Sequence, residues 1–459
     1  MIQHSLHACR NCVEKQREID RLREENVRLK ARLRYQERTA KEAPFGSSTP
    51  SAKQLVKASS LAENQAKRGG AKPGHPGAGR RCPPEEEITR RERLAAPTRC
   101  PDCGEVLVAK GAKPRTVLDA IPVQREVIRY EVGQAACPKC RRVVRAPVPG
   151  VLPKSLLGNR LLAHVAWEHY VQGTTLGRLA KQLRVGQGTL VGALHRLADR
   201  LAPVLSKLLA EYRRARVRHA DETGWRDDGR NGHAWLFCTA RLSLFRFRQT
   251  RAARVALEVL GSRRLPGVLV VDRYAGYNQA PCARQYCYAH LLREVEDLAK
   301  EFPADAEVQR FATQLGAALR QAMKLRGRGL ALPAFRQEAA QLRGEIQATA
   351  AASARHPGVQ KLQGIFREQA ERLYHWARHP SIPAENNRAE RELRPLVIAR
   401  KLSFGSQSER GLRTREVLMS ILHTLGKRTD DGFDRLVDSL NTLAAHPQRP
   451  LYPLLFNSS

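Results

Sequence analysis

Val268-Leu269-Val270-Val271-Asp272-Arg273-Tyr274-Ala275-Gly276-Tyr277 is the stretch whose reading decides the fold. Its four leading apolar residues, three of them β-branched, are too few for a helix and suit a strand buried on both faces. Asp272 closes the strand and enters a turn, the place where open α/β sheets gather their ligand groups. A carboxylate at the end of an apolar strand loses hydration, which is costly unless a cation meets it. A turn-capping Asp is the plainer alternative.

Working outward, the apolar period is two from residue 216 onward. Residues 234–240 and 242–247 read as adjacent antiparallel strands and 252–260 as a helix, so that with 268–271 the order is β-β-β-α-β. His219-Ala220-Asp221-Glu222-Thr223-Gly224-Trp225 opens this array, with Asp221 placed at the start of the first strand under the same two readings as Asp272. Residues 283–288 offer one more strand before a helix at 290–300. Residues 304–378 then run almost entirely as an Ala/Leu/Gln/Arg helical pattern, a helical insertion. A further helix begins near Asn387 in Asn386-Asn387-Arg388-Ala389-Glu390-Arg391, where Asn387 and Glu390 have the spacing of a capping box, the ordinary structural use of that glutamate. Pro395 is expected to kink or end this helix. Residues 414–443 complete a helical C-terminus.

Composition limits the class of partner. Eighty Lys plus Arg against 45 Asp plus Glu give a formal charge of +35 and a pI near 10.6. A surface so charged repels itself unless it meets a polyanion, nucleic acid first of all, although an Arg-rich composition alone would also be basic. A membrane surface is the other polyanion, but no run of about 18 apolar residues exists, and residues 1–12 lack the apolar stretch of a signal peptide.

The N-terminal part is modular. Cys12, Ile19, Asn26 and Leu33 recur at seven-residue spacing with Leu22 and Leu29 between them, a short zipper in which one Asn would fix a parallel register; a solitary charged helix is the alternative. Residues 39–79 are rich in Gly, Pro, Ser and Lys and form a basic connector. Cys100-Pro101-Asp102-Cys103-Gly104 and Cys137-Pro138-Lys139-Cys140 are separated by β-prone residues and read as a zinc ribbon. Four thiolates from two tight turns make the closed tetrahedral set of a structural Zn²⁺, with no open position for catalysis. Residues 156–212 are helical in pattern. There, two short helices flanking Gly186-Gln187-Gly188 outline a helix-turn-helix, with Thr189, His195 and Arg196 on the second; a plain helical hairpin fits as well.

Taken together, these motifs resemble the DDE transposases of the insertion-sequence sixty-six family. The resemblance runs from zipper to C-terminal helices. It rests on Pro-Gly-His-Pro-Gly at 73–77, the two cysteine knuckles, Ala-Asp-Glu-Thr at 220–223, Asp-Arg-Tyr-Ala-Gly-Tyr at 272–277, Cys-Tyr-Ala-His at 287–290, Asn-Asn-Arg-Ala-Glu-Arg at 386–391 and Arg400-Lys401, in that order. Gly224 stands where the family often has Pro, Glu385 where it often has Asp, and the aromatic after Arg-Lys is displaced to Phe404.

What the resemblance implies is a multidomain chain: a coiled-coil dimerisation helix (1–38), a flexible basic linker (39–95), a zinc ribbon (96–150), a helix-turn-helix-like DNA-binding region (151–213) and an α/β RNase H-like catalytic domain (214–302 and 385–459) interrupted by a helical insertion (303–384). It makes Asp221, Asp272 and Glu390 the catalytic carboxylates and two Mg²⁺ their cofactors. Hard oxygen donors suit Mg²⁺, and a pair of divalent ions about 3.5–4 Å apart serves in-line displacement at phosphorus. Water is then the first nucleophile, and the 3′-OH it releases is the second. Arg391, Arg394, Arg400 and Lys401 are expected to meet phosphates, an ordinary solvated basic face being the alternative. Cys287 and His290 resemble a motif near the active site of several DDE families and stay open between a zinc pair and packing. The expected partners are double-stranded DNA, as element ends and target, a second copy of the chain or a higher homo-oligomer, and accessory element-encoded proteins, with no membrane. The expected location is the bacterial cytoplasm, at the nucleoid. Two other functions fit parts of the pattern: a non-catalytic DNA-binding regulator derived from such an enzyme, and an RNase H-like nuclease without joining activity.

Overall fold

The computed structural model describes residues 10–41, 85–87, 126–132, 134–136, 143–145, 148–153 and 155–456. The chain divides into two compact units, Met1–Gln54 with Ile128–Ser459, and Leu55–Val127. Of the latter, the described part is the 3-10 turn Glu85–Glu87 and residues 126–127. Cys9, Cys100, Cys103, Cys137 and Cys140 lie outside the described residues, as does the side chain of Cys12. Strands β1 (Gln134–Ala136) and β2 (Val143–Arg145) pair antiparallel, so the second cysteine knuckle falls in sequence between two paired strands.

Helix α1 (Arg10–Lys41) carries the heptad residues on one continuous helix, with Ile19, Leu22, Leu29 and Leu33 exposed. Next come α2 (Asn159–Tyr170), α3 (Leu176–Leu183), α4 (Gln187–Leu201) and α5 (Val204–Arg214). Thr175 caps α3, and Arg184 ends it in a left-handed conformation. His195, expected to be available to a groove, instead turns to Thr414, with Nδ1 2.6 Å from the hydroxyl, while Arg196 is exposed.

Strands β3 (Val217–Asp227), β4 (Arg230–Cys238) and β5 (Ser243–Arg248) form an antiparallel meander. The β3–β4 turn is Asp228-Gly229, with φ of 46° and 74°. Positive φ at both central residues is the two-residue hairpin that matches strand twist, and Gly229 adopts it without steric cost. Helix α6 (Ala253–Leu260) crosses over to β6 (Val268–Val271), all four residues buried, which lies parallel to β3 on one side and to β7 (Ala283–Tyr286) on the other. The sheet order is β5-β4-β3-β6-β7. A mixed sheet flanked by helices is compatible with the RNase H-like expectation.

After β7 come α7 (Tyr288–Glu301), the insertion helices α8 (Ala306–Leu325), α9 (Leu332–Ala351) and α10 (Pro357–Glu368), and then α11 (Asn387–Ser403), α12 (Glu409–Arg428), α13 (Gly432–Ala445) and α14 (Leu451–Phe456). Among the described residues no helix is long and apolar enough to cross a membrane. Arg32 of α1 meets the insertion at Asp305, 3.3 Å away, and at Glu307, 4.0 Å away. Pro395 does not end α11, which continues to Ser403. The lost backbone bond is offset where buried Leu393 and Leu396 pack beneath the helix.

Edge strand β5 would leave a row of backbone N–H groups open to unwanted pairing. Helix α12 covers them: Thr424 Oγ1 accepts from Ser243 N at 3.0 Å, Ser420 Oγ from Phe245 N at 2.9 Å and Glu416 Oε2 from Phe247 N at 3.3 Å. The two-residue period of the strand thus meets the four-residue period of a helix face.

Helix α12 also meets α2 through two half-buried histidines. His169 Nδ1 is 2.9 Å from Thr174 O, and His423 Nε2 is 3.0 Å from Tyr170 O. Burial pushes both down to about 4 from 6.5, Arg415 adding to the effect at His169. Both are neutral in the folded chain, whereas the unfolded chain takes up their protons below about pH 6.5. Stability is therefore complete above that value and falls as pH drops toward 4. Denaturant midpoints measured between pH 7 and 4 should fall less steeply in the double variant His169→Asn plus His423→Gln; an unchanged slope would show that these groups do not carry the acid sensitivity.

Candidate active site

Asp221 is the fifth residue of β3, paired with Leu236 of β4, and so lies within a strand, not at its start. The correction follows from the Asp228-Gly229 turn, which extends the hairpin six residues beyond Asp221. One carboxylate oxygen accepts the Glu222 N–H at 2.9 Å. Burial holds the Asp221 carboxyl well above its usual range, and the neighbouring carboxylates Glu222, Asp272 and Glu390 push it the same way. Asp221 thus feels the charge of both other sequence-predicted acids.

Asp272 follows β6 and is half-buried. Its Oδ1 accepts the Tyr274 N–H at 3.0 Å, so one oxygen does cap the turn. Tyr274 and Tyr277 from this turn pack against Trp235 of β4, with ring centroids 6.5 and 5.8 Å apart.

Glu390 lies in the first turn of α11. The alternative use of Glu390 in a capping box is absent: the N-cap is Asn386, whose side chain does not cap the helix, and Glu390 Oε1 is a buried atom without a hydrogen-bond partner. Glu390 Oε2 lies 3.5 Å from Arg293 Nη2. Asn386 is occupied elsewhere. Only 1% exposed, it donates from Nδ2 to Ala220 O at 2.9 Å and places Oδ1 2.9 Å from His219 Nδ1, while its backbone N–H donates to Cys287 Sγ at 3.1 Å. One side chain thereby ties the start of α11 to β3 one residue from Asp221, and its backbone ties the same point to the start of α7.

The far end of α11 is fixed to the same strand. Ser406 N donates to Arg226 O at 2.9 Å, and Asp228 N to Ser406 O at 2.8 Å. Gly405 permits the approach, since a Cβ there would lie 2.2 Å from Arg226 O. Between these anchors Arg400 Nη1 donates to Thr223 Oγ1 at 3.2 Å and to Gly224 O. Arg400 is therefore turned inward, and desolvation pulls its pKa down. Arg391, Arg394 and Lys401 are exposed on the helix.

Sequence reasoning missed Glu222. Its side chain is 2% exposed and accepts two N–H bonds from Arg251 and the Tyr277 hydroxyl. Burial, then Asp272, raises it to about 7, against the lowering effect of Arg251 and Tyr277. Arg251 in turn lies over the Tyr274 ring, 3.8 Å from its centroid. A second acid immediately after Asp221 was the available signal. Glu392 is held by Lys427 at 2.6 Å and Ser243 at 2.8 Å, and Glu385 faces Arg326 at 3.9 Å.

Cys287, fully buried, is the N-cap of α7, and His290 lies one turn on. Burial pushes the Cys287 thiol up to about 12, so it is no nucleophile as it stands. The donor atoms of Cys287, His290 and Glu390 all fall within 4.8 Å of one another, a tighter grouping than Asp221 and Asp272 make with Glu390.

Residues 154–414 match the transposase IS66 family, and residues 97–141 match the zinc-finger binding domain of transposase IS66. Among relatives, the chain is 26% identical over 407 residues to "Uncharacterized protein y4qI" of Sinorhizobium fredii, covering 78% of this chain and 72% of that protein. It is 23% identical over 434 residues to "Uncharacterized protein y4hP" of the same organism, covering 81% and 75%. The match over 154–414 spans Asp221, Asp272, the insertion and the Glu390 helix, and the finger match spans all four knuckle cysteines; the chain belongs to the IS66 family of transposases.

Proposed function

We propose that this transposase binds the ends of its element, hydrolyses the phosphodiester bonds there and joins the freed 3′-OH ends to target DNA, with Asp221, Asp272 and Glu390 as metal-holding catalytic carboxylates. What supports the reading is that Asp272, just after β6, and Glu390, in the first turn of α11, both act electrostatically on Asp221 of β3. Carboxylates so gathered, with Glu390 Oε1 lacking a partner, call for cations, and an all-oxygen donor set fits Mg²⁺. When bound, the divalent ions would activate the attacking oxygen and stabilise the leaving one.

The protein's own residues supply the rest. Asp221 offers its oxygens from within β3, Asp272 from the turn just after β6, and Glu390 from a helix anchored at both ends. Glu222 is held by Arg251 and Tyr277 and positions the strand beside Asp221. Arg391, Arg394 and Lys401 would contact phosphates, and Arg400 would join them on release from Thr223. We assign residues 214–302 and 385–459 to an RNase H-like domain, 303–384 to its insertion, 151–213 to DNA binding and 39–95 to a basic linker. Cutting of duplex end DNA to leave a 3′-OH should require Mg²⁺ and stop with EDTA, while binding persists; cutting in EDTA would remove the metal from the scheme.

Two accessory roles accompany the catalytic one. Cys100, Cys103, Cys137 and Cys140 hold one structural Zn²⁺, so Cys103→Ala plus Cys140→Ala should lose about one equivalent of zinc; unchanged zinc would overturn this assignment. Residues 1–38 form a parallel coiled-coil dimer through Ile19, Leu22, Leu29 and Leu33, with Asn26 setting register. Deleting residues 1–40 should lower the mass found by light scattering, and an unchanged mass would place assembly on another surface.

A further inference from the structure

We propose that Cys287, His290 and Glu390 form a binding site for a zinc-like cation, distinct in chemistry from the Mg²⁺ positions and sharing with them the Glu390 carboxylate. The inference rests on the catalytic reading only in that Glu390 is common to both.

The three donors come from two helix starts. Cys287 and His290, three residues apart at the beginning of α7, project on one face. Glu390 reaches them from the first turn of α11, and the Asn386 N–H bond to Cys287 Sγ holds the two starts together. Their donor atoms lie within 4.8 Å of one another. His290 Nδ1 and Glu390 Oε1 are both buried and both lack a hydrogen-bond partner, although they face each other 3.9 Å apart. That separation is too long for a hydrogen bond. It is close to the spacing of about 3.3 Å between two ligands on one tetrahedral ion with bonds of 2.0–2.1 Å, so a small side-chain rotation closes the site.

Donor chemistry selects the ion. One sulfur, one imidazole nitrogen and one carboxylate oxygen suit a borderline-soft cation and disfavour Mg²⁺, which takes oxygen ligands in octahedral geometry. As the sulfur–metal bond forms, the thiol proton leaves to solvent, and thiolate plus carboxylate balance the double charge of the ion. Oε1, which faces His290, would take this ion, while Oε2, 3.5 Å from Arg293 Nη2, keeps a lone pair for Mg²⁺. Three protein ligands leave a fourth position for water or a phosphate oxygen. In this arrangement Cys287 and His290 are positioning residues that fix the orientation of Glu390.

Zinc counting on the full chain tests the proposal, with zinc alone as the probe. Wild-type protein should hold about two equivalents, one of them in the cysteine ribbon, and His290→Ala about one. The variant Cys103→Ala plus Cys140→Ala should keep the other equivalent, and a cadmium-113 spectrum should show one resonance outside the four-thiolate range that disappears in His290→Ala. If His290→Ala melts far below wild type, Glu390→Gln gives the same comparison with side-chain shape preserved. A folded His290→Ala or Glu390→Gln protein with the wild-type zinc content overturns the site. Failure of the catalytic reading has a different signature: DNA cutting that survives Glu390→Gln, whatever the zinc count.

Discussion

Asp221→Asn, Asp272→Asn and Glu390→Gln are each expected to reduce Mg²⁺-dependent cutting of end DNA by at least about 10³-fold, about 4 kcal/mol in the barrier. Each exchange keeps side-chain size and removes one anionic oxygen donor. Binding to the same duplex should change less than about twofold, because affinity comes from the basic surface and its phosphate contacts. A second readout follows from electrostatics. Asp221 is disfavoured as an anion by burial and by three neighbouring carboxylates, so Asp221→Asn should raise the melting temperature of metal-free protein while abolishing cutting. If Glu390→Gln cuts normally, Glu390 leaves the scheme. Glu385, facing Arg326, is then the carboxylate to test before Glu392, which is tied to Lys427 and Ser243.

Asn386→Ala should be the most damaging substitution outside the acids. It removes two buried side-chain bonds and leaves His219 Nδ1 and Ala220 O without that partner. Leaving buried polar groups unsatisfied costs about 1–3 kcal/mol each, so a loss of about 2–4 kcal/mol is expected from denaturant titration. Because the same side chain sets the start of α11 against β3, cutting should fall by more than the stability loss explains under conditions where the variant remains folded. A change within about 0.5 kcal/mol and normal cutting would show that α11 is placed by its other anchors.

What is legible in the sequence follows from local physics. The apolar run at 268–271 reads as a buried strand, and Asp272 at its end is legible with it. The meander and the crossover helix are readable from their periods, but periodicity alone places Asp221 too near a strand start, because the length of the hairpin is set by the Asp228-Gly229 turn. Glu390 cannot be separated from a helix cap by spacing alone, since the choice depends on Asn386 being drawn to His219 and Ala220, far away in the chain. Glu222, Arg251 and Asn386 escape a sequence reading for the same reason: their partners are set by tertiary contacts that leave no period. Arg400 looks like one basic residue among several, yet the Gly224 carbonyl draws it inward. The polar residues Glu416, Ser420 and Thr424, spaced four apart on one face of α12, have an edge-covering role that only the sheet explains.

If one site both cuts and joins DNA, the joined product shows it most directly. Full-length protein, duplexes carrying the element's own end and a supercoiled target should yield end-to-target joints in Mg²⁺, from pre-cut ends bearing a 3′-OH as well as from uncut ends, with both products absent for Asp272→Asn. Tight, specific end binding without any joint from pre-cut ends in Mg²⁺ would contradict a single cutting and joining site.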